Sequence, residues 1–319
     1  MMRPMGAHED DPGFGAPSTS SKFWDDYAPK EASRNEDQPE DFIYHRIVSD
    51  ILRDLVTADD SVIDIGGGTG RFSLDLAERV RAVTHVDLSQ NMLAIARQRC
   101  AERNLRNVTF VRADARDLHT FPDRSFLVSL AINGVITFAV TEWERALSEA
   151  CRVASRLVVI TAASIVSTIP AVLAGFLSTT GSIEEPVERM MIDKTFLAED
   201  GAQYGLQFPS YRAFFPEELE ASLRSEGFVI LDVRGIASLC RFLREDSLRK
   251  IVADQQQFER FLHLERSYTI QVGRRSPARE WLVVAERTGA PGDERGRQPP
   301  TATPQLLDVL GGEPCTVAY

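Results

Sequence analysis

Residues 62–72 read Val62-Ile63-Asp64-Ile65-Gly66-Gly67-Gly68-Thr69-Gly70-Arg71-Phe72. An acid stands near the end of an apolar strand, and a glycine-rich turn then opens a helix. Gly66, Gly67, Gly68 and Gly70 let a ligand approach main chain that no Cβ shields. The first N–H groups of the helix lack partners within it and suit an anionic part of that ligand. Seventeen residues past Gly70 a second strand reaches Asp87, where parallel nucleotide folds place a carboxylate on ribose hydroxyls. A third acid, Asp114, follows the next strand. Plainer uses stay open: helix capping for Asp64 and Asp87, a turn cap for Asp114, turn formation for Gly67, and core packing for Met92. In the dinucleotide fingerprint the third glycine would fall at 71, which is Arg71, and no Gly-Lys-Ser/Thr phosphate loop is present.

An alternation of strands and helices must hold these residues. Strands are expected at 61–65, 83–88, 108–112, 126–132 and 157–162, with two more at 228–233 and 281–285. Helices are expected at 69–80, 90–103, 142–154 and 216–227, the last opened by Pro216 and closed by Gly227. Strand, helix, strand at this spacing gives right-handed crossovers and a parallel sheet. Two stretches, about 163–215 and 236–279, exceed ordinary loops and are expected to build structure beside the sheet.

Taken together, these segments resemble the motifs of class I S-adenosylmethionine-dependent methyltransferases of the small-molecule type. Asp64 to Gly70 is similar to the first motif. Val86-Asp87-Leu88-Ser89-Gln90-Asn91-Met92-Leu93 resembles the second, and Val111-Arg112-Ala113-Asp114-Ala115-Arg116-Asp117-Leu118 the third. Phe121-Pro122-Asp123-Arg124-Ser125-Phe126 resembles the approach to the fourth strand, although Leu127 stands where the family usually has Asp. The resemblance spans about 22–287. It implies an α/β fold: a Rossmann-like, doubly wound, seven-stranded sheet of order 3-2-1-4-5-7-6 with its last strand antiparallel and helical lid insertions. It implies S-adenosyl-L-methionine as cofactor. Asp64, Gly66, Gly67, Gly68, Gly70, Asp87, Leu88, Met92, Asp114, Ala115 and Asn133 would surround it. Phe23-Trp24-Asp25-Asp26-Tyr27-Ala28 resembles a helix that covers the cofactor in related enzymes, which makes Tyr27 a further contact.

The chain has 319 residues, 43% hydrophobic, and a formal net charge of −11. That balance lacks the positive field that carries nucleic-acid binding, so no nucleic-acid partner is expected. Ten acids and four bases fall in residues 1–41, so the acidity is expected to say little about the site. Cys100, Cys151, Cys240 and Cys315 are far apart, without C-x-x-C, and read as free thiols with no metal site. Residues 1–21 and 288–319 read as flexible tails. No signal peptide opens the chain, and a cytoplasmic setting is expected. The run 157–183 holds no charged residue, but Pro170, Gly175 and several hydroxyls break it. It is expected to be a strand and an apolar lid helix rather than a stable membrane insertion.

Methyl transfer needs nucleophile and methyl carbon held in line, and a base only when the nucleophile carries a proton. Among the histidines, His45 is the candidate base; His85 reads as core and His119 as solvated. After the fourth strand the chain reads Ala131-Ile132-Asn133-Gly134-Val135, without the prolines of DNA amino-methyltransferases. The expected partner is a small, partly apolar acceptor methylated at O, N or C, such as a secondary metabolite or lipid-like intermediate. The alternative is a protein of the same fold that binds S-adenosylmethionine and catalyses a cyclisation, or only binds. Oligomeric state is not legible.

Overall fold

The computed structural model describes residues 21–204 and 209–289. The expected tails, apart from Ser21, Thr288 and Gly289, and Cys315 lie outside the described residues. Two helices come first, α1 (Ser21–Asp37) and α2 (Pro39–Leu55). Then follow β1 (Ser61–Ile65), α3 (Arg71–Ala77), β2 (Ala82–Asp87), α4 (Gln90–Glu102), β3 (Val108–Arg112), β4 (Phe126–Ala131), α5 (Val135–Phe138), α6 (Trp143–Val153) and β5 (Ala154–Ala163). The first insertion holds α7 (Ile165–Thr179), α8 (Glu185–Asp193), β6 (Thr195–Phe196), α9 (Ala198–Ala202) and β7 (Tyr211–Arg212). Next come α10 (Pro216–Ser225) and β8 (Phe228–Ile236). The second insertion adds α11 (Glu245–Ala253) and α12 (Gln255–Val272), and β9 (Glu280–Arg287) closes the sheet.

The seven long strands form one sheet of order β3-β2-β1-β4-β5-β9-β8. The first five run parallel, and β9 is antiparallel to both its neighbours. This is the order expected from the sequence. Period-two alternation sorts the sheet into two cores. On one face Val62, Val128, Val159 and Val284 pack against Ile43 and Leu52 of α2, Phe72 and Leu76 of α3, and Phe258 and Leu262 of α12. On the other, Ile63, Ile65, Ile160 and Val283 meet Trp143 and Leu147 of α6 and Leu219 of α10.

Some boundaries move for local reasons. Helix α3 begins at Arg71 rather than 69, because Gly70 adopts φ 87 and belongs to the turn. Strand β8 runs to Ile236, with a register shift between Ile230 and Asp232 that the alternation alone does not reveal. The first insertion has its own small core of Ile165, Val172, Phe176, Val187, Met190, Phe196 and Ala213, and a two-stranded sheet of β6 and β7. Among the described residues no helix is long and apolar enough to cross a membrane.

Candidate functional site

The glycine turn sits on a buried polar network. Ser73 donates to Asp64, and His85 Nδ1 lies 2.7 Å from the Ser73 hydroxyl. His85 Nε2 lies 3.1 Å from the Gly68 carbonyl. Burial pushes the Asp64 carboxyl up to about 6 and the His85 imidazole down to about 4. Asp64 therefore supports the turn from beneath. A Cβ on Gly67 would lie 2.5 Å from His85 Cε1 and 2.8 Å from Asp64 Oδ2, so no side chain fits there. Gly68, at φ +56, has nothing within 4 Å of its Cβ direction: its outer side is open.

Asp87 closes β2 beside that open side. It accepts from Gly68 N at 2.8 Å and from Ser89 N at 2.8 Å. Burial pushes it up to about 6, with the nearby Asp25 charge adding to the effect. No cation pairs with it among the described hydrogen bonds and ion pairs, so its remaining lone pairs suit neutral hydroxyl donors. Leu88 is half-buried, and its carbonyl accepts from Arg112. Met92 is buried in the first turn of α4, whose N-cap is Ser89. Asp114 is fully engaged by Arg116: its oxygens receive the Arg116 main-chain N–H and two guanidinium bonds of 2.9 and 2.6 Å. Burial opposes ionisation of Asp114, but these bonds win and hold its carboxyl below the usual range. Ala115 is half-buried in the same loop. Asn133 follows β4 at φ 56, its N–H held by Thr161 Oγ1 at 2.8 Å. The next turn abuts the glycine loop, since a Cβ on Gly66 would meet Val135 Cγ2 at 2.6 Å.

Helix α1 lies over this assembly. Asp25 accepts from Ser89 Oγ at 2.6 Å and Asn91 N at 3.0 Å, and Asn91 Nδ2 donates to the Asp25 carbonyl. Trp24 meets Phe138 of α5 with ring centroids 5.1 Å apart. Tyr27 stacks on Phe23 at 6.0 Å and carries Lys30 over its ring. Glu31 pairs with Arg71, the residue after the glycine turn.

The sequence did not reveal what these acids do. Glu31 also meets Arg34, Arg34 meets Asp41 at 3.1 Å, and Asp41 meets Arg279 at 2.8 Å. Glu40 lies 3.9 Å from Arg279 and 3.4 Å from Arg241. The acidity at the start of the chain is therefore not remote from the site. Three of its acids, Glu31, Glu40 and Asp41, lie on α1 and α2 and pair with arginines up to 239 residues away. Burial pulls the Arg71 guanidinium down to about 10, with Arg279 and Arg99 adding repulsion.

His45 faces α3 instead of the strand ends. Its Nε2 lies 3.3 Å from the Arg71 carbonyl and 3.5 Å from Asp75, and its ring packs on Phe72 at 5.0 Å. Burial lowers its pKa despite Asp75. Three free cysteines, Cys100, Cys151 and Cys240, are buried. Among the described residues no group of His, Cys, Asp and Glu is arranged to hold a metal ion.

Residues 62–156 match the family model of the methyltransferase domain. These residues are therefore similar to a methyltransferase domain, and they lie within the part of the chain that forms the seven-stranded sheet. Over 71 residues it is 45% identical to a demethylmenaquinone methyltransferase of Tropheryma whipplei (strain Twist), covering 22% of this chain and 28% of that protein. Over 93 residues it is 42% identical to a phosphatidylethanolamine N-methyltransferase of Cereibacter sphaeroides, covering 29% and 44%. The chain thus spans less than half the length of these relatives. A solved S-adenosylmethionine dependent methyltransferase from Mesorhizobium loti superposes with a TM-score of 0.48 at 21% identity, covering 74% of this chain and 96% of that one.

Proposed function

We propose that this chain transfers a methyl group from S-adenosylmethionine to O, N or C of a small, partly apolar acceptor. The observation that carries the reading is the bare, open Cβ side of Gly68 together with the buried carboxylate of Asp87, which accepts from Gly68 N and has no cation among its described partners. An acceptor-only group beside bare main chain fits a ribose diol. When bound, S-adenosylmethionine supplies a methyl on a sulfonium, so the leaving group is already activated.

The chain's own residues then have limited tasks. Asp87 would accept from the ribose hydroxyls, and the Gly66–Gly70 turn would lie against the ligand. Leu88, Met92, Ala115 and Asn133 would border it. Asp114 would reach the adenine amino group only by sharing its oxygens with Arg116. Asp64 would act one layer below, keeping the turn in shape through Ser73. Helix α1 would exclude water, with Trp24 and Tyr27 presenting aromatic faces. The ring contacts of His45 favour a role in packing α2 on α3 over that of a base. We place the catalytic unit between residues 22 and 287, in a cytoplasmic setting.

The acceptor class rests on α7. Strand β5 runs directly into it, so it rises from the strand end beside the site. It carries no charged side chain, and Val166 and Leu177 remain exposed on it. The two relatives are named for a quinone precursor and a phospholipid, which agrees with an apolar acceptor. The test is S-adenosylhomocysteine release with a panel of quinols, aromatic alcohols, aminophospholipids and highly charged metabolites. Release with apolar members is expected. Turnover of charged members alone would sink the acceptor class, and tight cofactor binding without release across the panel would favour a non-transfer role.

A further inference from the structure

One buried chain of hydrogen bonds near the turn after β4 is not explained by holding the ribose or adenine. Glu280 opens β9 and is paired in register with Ala163, the last residue of β5. It therefore stands at the same edge of the sheet as the carboxyl ends of the parallel strands. Tyr44 of α2 donates to Glu280 Oε2 at 2.7 Å, and its hydroxyl lies 3.0 Å from Thr161 Oγ1. Thr161 in turn accepts from Asn133 N at 2.8 Å. Tyr44, Thr161 and Glu280 are all buried.

The proton order of this chain is fixed. Tyr44 has one proton and gives it to the carboxylate, so Thr161 must donate to Tyr44. Thr161 then has its oxygen free to accept from Asn133. Every dipole points its positive end toward the Glu280 carboxylate, and such chains strengthen cooperatively at low dielectric. The far end is Asn133, a non-glycine residue held at φ 56, two residues before the Val135 that abuts Gly66. Asn adopts this left-handed conformation more readily than most residues, and the bond from its N–H to Thr161 holds it there.

The charge around Glu280 matters as well. Arg34, Arg71, Arg279 and Arg241 belong to one connected set with Glu31, Glu40 and Asp41. Glu280 interacts through space with Arg34, Arg71 and Arg279. With Glu280 counted, four guanidiniums face four carboxylates; without its charge the set is left with one positive unit.

We propose that Glu280, acting through Tyr44 and Thr161, is a positioning residue that fixes the Asn133 turn and makes the site prefer a cationic ligand centre over a neutral one. The inference rests on the site being an S-adenosylmethionine site, where substrate and product differ in this charge: a sulfonium before transfer and a neutral thioether after it. A relay of this kind favours binding of the methyl donor and departure of S-adenosylhomocysteine. A plain brace between α2 and the strand ends would treat both ligands alike.

The test uses the whole chain and two probes: S-adenosylhomocysteine, which is neutral at sulfur, and sinefungin, which carries an amine at the methyl position. Affinities are measured by calorimetry for the wild type, Glu280→Gln, Glu280→Asp and Tyr44→Phe. Glu280→Gln is expected to weaken sinefungin about tenfold, the size of one unit charge acting across a partly buried site. S-adenosylhomocysteine should stay within about twofold. Glu280→Asp, which keeps the charge, should retain most of the sinefungin affinity, and Tyr44→Phe should fall between. If Glu280→Gln does not fold, Tyr44→Phe gives the same reading, because its ring still packs under Arg279. Equal weakening of both probes, or of neither, would overturn the relay role while leaving the cofactor reading intact. A wild type that binds neither probe would overturn the cofactor reading, and the relay with it.

Discussion

Gly67 and Gly68 are adjacent and constrained in opposite ways. A Cβ on Gly67 would strike buried His85 and Asp64, whereas one on Gly68 meets open space. Gly67→Ala is therefore expected to cost about 1–3 kcal/mol through overpacking. Gly68→Ala should cost about 1 kcal/mol for its left-handed backbone, yet lower S-adenosylhomocysteine affinity at least tenfold by shielding the main chain. Thermal unfolding and calorimetry on the two variants check this; equal affinity in Gly68→Ala and the wild type would mean that no ligand approaches there. Asp87 gives a pH test. Burial raises its folded pKa to about 6 from 3.8, so the native state holds the proton more tightly than the unfolded chain. Its contribution to stability is present below about pH 4 and lost as pH rises through about 6. The opposing, lowered pKa of His85 acts in the same window, so the comparison must be between variants. Stability of ligand-free Asp87→Asn relative to the wild type should improve by about 2 kcal/mol from pH 4.5 to pH 7.5. A pH-independent difference would contradict the burial argument. The glycine spacing and Asp87 were legible because type and position alone select them. The supporting role of Asp64 was not, because Ser73 and His85 become its neighbours only when the turn closes.

Helix α1 illustrates what an element gains from docking. Its sequence is polar, contains Pro29 and would be marginal as an isolated helix. It is held by Asp25 on the start of α4, Trp24 on α5 and Glu31 on Arg71. A cover anchored by a few polar contacts is of the kind that opens locally at low free energy. Asp25→Ala removes the two bonds to its carboxylate, from Ser89 Oγ and Asn91 N, each worth about 1–3 kcal/mol. Proteolysis between α1 and α2 should accelerate at least fivefold in that variant, and saturating S-adenosylhomocysteine should slow it. Unchanged cleavage would show that α1 is held by other contacts. Aromatic residues at 23, 24 and 27 marked this helix in the sequence. Its partners could not be read, since Glu31 and Arg71 are 40 residues apart and Asp25 and Asn91 are 66 apart.

Across the whole molecule, the sheet was the most legible feature. Apolar runs alternating with amphipathic helices admit few right-handed topologies, and the observed order is the expected one. The insertions were legible as interruptions and not as structures: two-residue strands such as β6 and β7 carry no periodicity. The net charge was legible as a number and misleading as a map, because Glu31, Glu40 and Asp41 pair with Arg71, Arg241 and Arg279, far along the chain. The central claim is that Asp87 and the glycine turn hold S-adenosylmethionine. Calorimetric titration of S-adenosylhomocysteine into the wild type and Asp87→Ala tests it most directly. Saturable binding of one ligand per chain is predicted, weakened in Asp87→Ala by about 2–3 kcal/mol from the loss of two charge-assisted hydrogen bonds. Unchanged affinity in Asp87→Ala, or binding of NADH in place of S-adenosylhomocysteine, would contradict it.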